Sequence, residues 1–109
     1  MAISLPKAVR AYFNGSNAHY ADAIAEAFAA DGVVHDEHKT HSGRAAIAAW
    51  ARETIDKYRT TMTPLSVSES DGTAMVRAKV SGTFPGSPIE LTFRFELGES
   101  GIRSLKIGN

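Results

Sequence analysis

Asp36 is the residue of this chain best suited to move a proton. It follows Val33-Val34 in a short segment, Gly32 to Glu37, that lies between a turn and a polar stretch and reads as a strand. Side chains alternate across a strand, so Val34 and Asp36 share a face, and if Val34 packs inward the carboxyl follows it. Burial there would disfavour the charged form and raise the pKa. Such a group serves either as a base that takes a proton from carbon next to a carbonyl or as a neutral acid that donates to a ligand carbonyl. The plainer reading is that Asp36 ends a strand and accepts backbone donors from the next loop. Tyr12 falls on the apolar stripe of the first helix. A buried phenol needs a partner, which here is Asp36, a ligand or a backbone carbonyl. A hydrogen bond from it to Asp36 would favour the carboxylate and partly offset the effect of burial.

His35, His38 and His41 recur every third residue beside Asp36 and Glu37, donor types that suit a divalent transition metal. The segment reads as strand running into loop, where His35 and His41 need not converge. The expectation is therefore a solvated polar loop, with no metal and no cofactor, and His35 as the imidazole placed to touch a ligand. His19 has no companion and reads as surface. Trp50, Tyr58, Phe84 and Phe93 are expected to line a ligand cavity; the plainer reading of an aromatic on a helical stripe is core, and such residues can be core on one side and pocket wall on the other. Gly43-Arg44 lacks the glycine spacing of a phosphate loop, and Arg44 is expected in solvent. With no Cys in the chain, thiolate chemistry and Cys-based zinc sites are excluded.

Helical periodicity fills the first half and two-residue alternation the second. Ser4 can cap a helix with Pro6 in its first turn and Ala8, Val9, Tyr12 and Phe13 on one face, stopped by Asn14-Gly15. Asn17 can start a second helix whose stripe is Ala21, Ile24, Ala25 and Phe28, ending before Asp31-Gly32. His38 to Ser42 reads as loop. A third helix follows Ser42 with Ile47, Trp50, Ala51, Thr54, Ile55 and Tyr58 at helical spacing. Strands are predicted near Thr61 to Ser70, Thr73 to Phe84, Pro88 to Leu97 and Ile102 to Ile107, separated by Asp71-Gly72, Pro85-Gly86 and Glu99-Ser100-Gly101. Turns this short favour antiparallel hairpins. Ile89, Leu91, Phe93, Phe95 and Leu97 alternate strictly with Glu90, Thr92, Arg94 and Glu96, so one face of the sheet is covered. The helices must cover it, giving a two-layer α+β domain with Ile24, Phe28, Ile47, Ile55, Leu91 and Phe95 in the shared core. A helix over a strongly curved sheet leaves a cone whose wide end stays unfilled, a pocket for a small apolar molecule.

At 109 residues the chain can build one core, and one domain over residues 1–109 is expected. Apolar residues make up 43% and charged residues 22%, which points to an ordinary globular class. Lys plus Arg and Asp plus Glu both number 12, leaving no net field for nucleic acid or an anionic membrane. Met1 to Leu5 lacks the pattern of a signal peptide and no apolar stretch reaches membrane-spanning length. A cytoplasmic location is expected.

Several phrases resemble the SnoaL-like branch of the nuclear transport factor 2-like superfamily. They are Ala29-Ala30-Asp31-Gly32-Val33-Val34-His35-Asp36-Glu37, Ser42-Gly43-Arg44-Ala45-Ala46-Ile47-Ala48-Ala49-Trp50, Lys57-Tyr58 and Ser81-Gly82-Thr83-Phe84-Pro85-Gly86-Ser87-Pro88-Ile89. The resemblance implies a cystatin-like α+β roll: three N-terminal helices on a curved, mainly antiparallel sheet around a cone-shaped pocket. Ketosteroid isomerase, of the same superfamily, pairs an Asp general base with a Tyr and a protonated Asp at the oxyanion. Asp36 matches the base position and Tyr12 the Tyr position. The second Asp would fall near Phe93, which cannot donate, and this departure counts against steroid isomerisation.

The resemblance implies a small-molecule pocket, with isomerase, cyclase or lyase chemistry at Asp36 and Tyr12. The alternative is a noncatalytic dimerisation or partner-binding domain of the same fold. A homodimer is expected because the outward sheet face mixes Thr92 with Glu90, Arg94 and Glu96, a charge pattern able to pair with its own copy about a two-fold axis.

Overall fold

The computed structural model describes residues 4–108. Met1–Ile3 and Asn109 lie outside the described residues, and with them most of the Met1 to Leu5 segment read above. The order of elements is α1 (Lys7–Asn17), α2 (Ala21–Glu26), β1 (Phe28–Asp36), β2 (Lys39–Ser42), α3 (Arg44–Tyr58), β3 (Thr61–Ser70), β4 (Thr73–Ser81), β5 (Ile89–Gly98) and β6 (Gly101–Gly108). The strands form one sheet in the order β2-β1-β6-β5-β4-β3. Among the described residues only β1 and β6 pair in parallel; every other neighbour is antiparallel.

Alternation along the strands explains which face the helices cover. Ala74, Val76, Ala78 and Val80 of β4, Phe93 and Phe95 of β5, and Ile102 and Leu105 of β6 are buried. The intervening Arg77, Lys79, Arg94 and Lys106 are exposed. Register shifts in β1 against β6, in β3 against β4, and in β5 against β6 each leave a strand locally bulged, which bends a sheet and increases its twist. The result is the curved α+β sheet expected. Tyr12 and Phe13 of α1 meet Phe93 and Phe95 edge-on or tilted, with ring centroids 5.3–6.2 Å apart. Of the six residues expected in the shared core, Ile24, Phe28, Ile47, Ile55 and Phe95 are buried, whereas Leu91 is half-buried at the cavity.

Several local expectations are corrected. Helix α1 starts at Lys7 with Pro6 before it and no side-chain cap, so Ser4 does not cap it. It also runs through Asn14-Gly15 to Asn17. Gly15 marks a close approach rather than a stop: a Cβ there would lie 3.1 Å from the Ile24 backbone nitrogen and 3.2 Å from the Ala23 Cβ. Asn17 does not open α2. Its side-chain amide imitates a strand neighbour, donating to the Met62 carbonyl at 2.8 Å and accepting from the Met62 N–H at 2.7 Å. His19 is likewise not simple surface, because its Nε2 lies 2.9 Å from the Thr60 carbonyl.

Phe28 belongs to β1 rather than to α2, and β1 is correspondingly longer than the strand expected. The predicted loop His38 to Ser42 contains β2, which pairs back on β1 through a two-residue turn. Glu37 and His38 both carry positive φ, 51° and 64°. That is the conformation of a tight hairpin turn, reached here without the Asn-Gly or Gly-Gly signal that normally announces it. Strand β4 ends at Ser81, before Phe84. Among the described residues no helix is long and apolar enough to cross a membrane.

Candidate functional site

Helix α3 presents two adjacent rows to the interior. Ile47, Ala51 and Ile55, four residues apart, are buried against the core, while Trp50, Thr54 and Tyr58, also four apart, are half-buried. The second row, joined by Ala51 and Ile55 of the first, forms one wall of a half-open cavity of about 230 Å³. Phe93, Leu91 and Val80 of the sheet, Ile107 of β6 and Met62 of β3 line it from the other side, with Tyr12 and Ile24 from the first two helices. Phe84 approaches from the segment after β4, its ring meeting Tyr58 edge-on at 5.9 Å and 88°. That segment is held close by the Thr83 N–H, which donates to the Tyr58 carbonyl at 2.8 Å. Gly82 permits the approach, since a Cβ there would lie 2.5 Å from the same carbonyl oxygen.

Asp36 is the last residue of β1, on the same side as buried Val34, and it lines the cavity. The Trp50 indole Nε1 donates to Asp36 Oδ2 at 3.2 Å. Burial pushes the carboxyl above its ordinary value, and the indole hydrogen bond opposes it. Neighbouring Glu37 adds to the rise, while the His41 charge and the Glu37 backbone N–H reduce it. His41 lies against the other side of this arrangement, its ring 5.9 Å from that of Trp50.

Tyr12 is almost fully buried on α1 and also lines the cavity. Burial, then the nearby Asp36 charge, push its phenol far above the ordinary tyrosine value, so it stays protonated. Among the described residues no group is bonded to the Tyr12 hydroxyl, and no sealed side-chain nitrogen or oxygen lacks a partner. The hydroxyl therefore opens onto the cavity. At the rim, the Tyr58 hydroxyl reaches Glu37 Oε1 at 3.3 Å, a long contact.

The structure thus brings Asp36, Tyr12, Trp50, Tyr58, Phe84 and Phe93 to one cavity. His35 is not among its lining residues. It sits on the opposite face of β1, exposed, with Nδ1 3.3 Å from Thr40 Oγ1. The alternation that turns Asp36 inward turns its neighbour outward, so the same argument that selected Asp36 removes His35. Among the described residues no three His, Asp or Glu side chains converge as a metal requires. Arg44 is exposed, as expected, and its Nε and Nη2 also donate to the Phe28 carbonyl at 3.0 and 2.8 Å, fastening the start of α3 to β1.

Some wall residues were missed. Thr54 was legible as the middle of the Trp50 and Tyr58 row. Glu37 required knowing the turn, and Met62, Val80 and Ile107 required the strand register, which no single strand reveals.

A curved sheet covered on one face by helices, with an apolar cavity opening beside the end of the first strand, defines the class of cone-shaped α+β rolls. Within that class the chain belongs to the SnoaL-like domain family, whose profile matches residues 9–101. It is similar to a candidate polyketide cyclase from Sinorhizobium meliloti, with 40% identity, 94% of each chain covered and a TM-score of 0.90. A protein of ketosteroid isomerase-like fold from Catenulispora acidiphila, solved with trimethylamine, has 20% identity over 97% of this chain and 87% of that one, at a TM-score of 0.86. A candidate polyketide cyclase from Xanthomonas campestris has 21% identity over 92% and 85%, at 0.80; the last two support the fold. Among curated proteins no significant match is found.

Proposed function

We propose that this SnoaL-like domain binds a small, largely apolar molecule in the cavity and catalyses a cofactor-independent isomerisation or cyclisation in which Asp36 is the general base. The observation that carries the reading is a carboxylate and a free phenol facing the same largely apolar cavity. Asp36 would take a proton from carbon next to a carbonyl, while the Tyr12 hydroxyl donates to the oxygen as negative charge develops on it. Trp50 holds one carboxylate oxygen, leaving the other for the substrate. The 40% identical Sinorhizobium relative, a candidate cyclase, is in keeping with carbon-acid chemistry. Phe93 stands where the ketosteroid isomerase pattern has a second oxyanion donor, so the oxyanion would rest on Tyr12 alone.

A noncatalytic interaction domain would have little use for a half-buried carboxylate beside an unpaired, buried phenol, and burying polar groups is costly. Assembly is a separate matter. The homodimer is proposed to form through the outer sheet face, where Arg77, Glu90, Arg94 and Glu96 alternate in sign.

A simple ketone that fits the cavity can stand in for the natural substrate. In deuterated water, the protein should speed exchange of the protons next to the carbonyl of cyclohexyl methyl ketone, followed by proton NMR. Asp36→Asn should remove about a hundredfold of that acceleration. Exchange that Asp36→Asn leaves unchanged would overturn the assignment of the base.

A further inference from the structure

Three features of the cavity, taken together, specify its ligand more narrowly, on the reading that the cavity is the substrate site. The first is size. Its volume of about 230 Å³ is roughly one and a half times the ~150 Å³ cavity that accepts a benzene ring. At the packing benzene adopts, that is room for about nine or ten heavy atoms: one ring with a short substituent fits, whereas a fused bicycle carrying an ester protrudes from the mouth.

The second feature is charge. Asp36 and Glu37 both line the cavity, and no Lys, Arg or His is among its lining residues. Lys57 lies over the Tyr58 ring, its Nζ 5.1 Å from the centroid, but does not form part of the wall. An anion would enter an apolar space containing two carboxyl groups and no countercharge, giving up its hydration without recompense.

The third feature is where the polar groups lie. Trp50, Tyr58 and Phe84, with Asp36 and Glu37, are partly exposed toward the mouth, whereas Tyr12 is 1% exposed at the inner end. Ser16 and Thr60, also buried, line the same cavity, so the inner end carries hydroxyl groups only, and among them the Tyr12 phenol stays protonated and offers a hydrogen. An ammonium could be drawn to the rim carboxylates, but at the inner end it would meet only neutral hydroxyl groups and no countercharge. A carbonyl oxygen accepts that hydrogen and at the same time places its adjacent carbon toward Asp36.

We infer that the cavity selects an uncharged carbonyl compound of single-ring size, rejecting the corresponding carboxylate and amine. Trp50 is the only tryptophan in the chain and forms part of the wall, so its fluorescence reports occupancy directly. The probes are methyl cyclohexanecarboxylate, cyclohexanecarboxylate, cyclohexylmethylamine and the methyl ester of decalin carboxylic acid, titrated near neutral pH with saturation-transfer NMR in parallel. The single-ring ester should bind about tenfold or more tightly than the carboxylate or the amine, and more tightly than the bicyclic ester. Tyr12→Phe should weaken the ester while leaving the charged probes unchanged.

A carboxylate or amine that binds as well as the ester overturns the charge selection, and a tighter bicyclic ester overturns the size limit. In both cases the cavity remains a binding site. If no probe changes Trp50 fluorescence or shows saturation transfer, the ligand class and the site reading fall together. If the ester binds as expected but the ketone shows no Asp36-dependent exchange, the ligand class stands and the catalytic reading falls.

Discussion

A carboxyl group that faces an apolar cavity and also accepts an indole N–H is pulled two ways, and each pull can be removed separately. Burial favours the protonated form of Asp36, and the Trp50 hydrogen bond favours the charged one. Trp50→Phe keeps an aromatic wall but removes the donor, so the Asp36 pKa should rise further, as measured by carbon-detected NMR titration of its carboxyl. A decrease would mean that the indole bond does not favour the charged form. Stability responds in a definable direction. Because the folded-state pKa of Asp36 is raised, the stabilisation it contributes is present below the ordinary carboxylate range and is lost as pH rises through the folded value. Asparagine keeps the shape and does not titrate. Asp36→Asn should therefore melt at a higher temperature than the parent at neutral pH, with the gain shrinking toward about pH 4 in calorimetric scans. Higher stability together with lost turnover is the pattern expected of a residue kept for chemistry.

The elements show what was legible in the sequence and what was not. The rows of α3, the alternation of β5 and the inward turn of Asp36 depend on periodicity alone, and each could be read directly. The errors occur where tertiary contacts override local signals. Asn14-Gly15 has the composition of a helix stop, yet Gly15 is where α2 crosses close to α1. Asn17 has the composition of a cap, yet its amide pairs with the backbone of Met62 on a strand 45 residues away. The β1–β2 hairpin escaped because Glu37 and His38 adopt a turn conformation that glycine or asparagine usually fills. The expectation that His35 touches a ligand conflicts with the alternation of β1, which places it on the face opposite Asp36. The Asn17 contact can be tested directly. Asn17→Ala leaves the Met62 N–H and carbonyl without those partners and should cost about 1–3 kcal/mol in urea denaturation. A smaller loss would show that solvent replaces the amide there.

At the scale of the whole molecule, the sheet has one face committed to the helices and one face free. On the free face Arg77 bonds Glu90 and Thr92, Arg94 bonds Glu96, and Thr73 bonds Glu96. Met75 is 42% exposed on the same strand face as Arg77. These surface ion pairs contribute little to the stability of one chain, but alternating signs suit a self-complementary contact about a two-fold axis. Sedimentation equilibrium at micromolar concentration should give the mass of a dimer, and Met75→Arg should move the distribution toward monomer. A parent chain that sediments only as a monomer would rule out a stable dimer.

The two rows of α3 divide the labour of one helix by a single step around its axis. Ile47, Ala51 and Ile55 hold the fold together, with Ala51 and Ile55 also touching the cavity, and Trp50, Thr54 and Tyr58 face whatever enters it. Substitutions in the second row can reshape the cavity while the first row keeps the helix seated. Inheritance of the scaffold and inheritance of ligand preference are thereby uncoupled, so a lineage carrying this helix can change its chemistry a few side chains at a time without first having to survive a loss of folding.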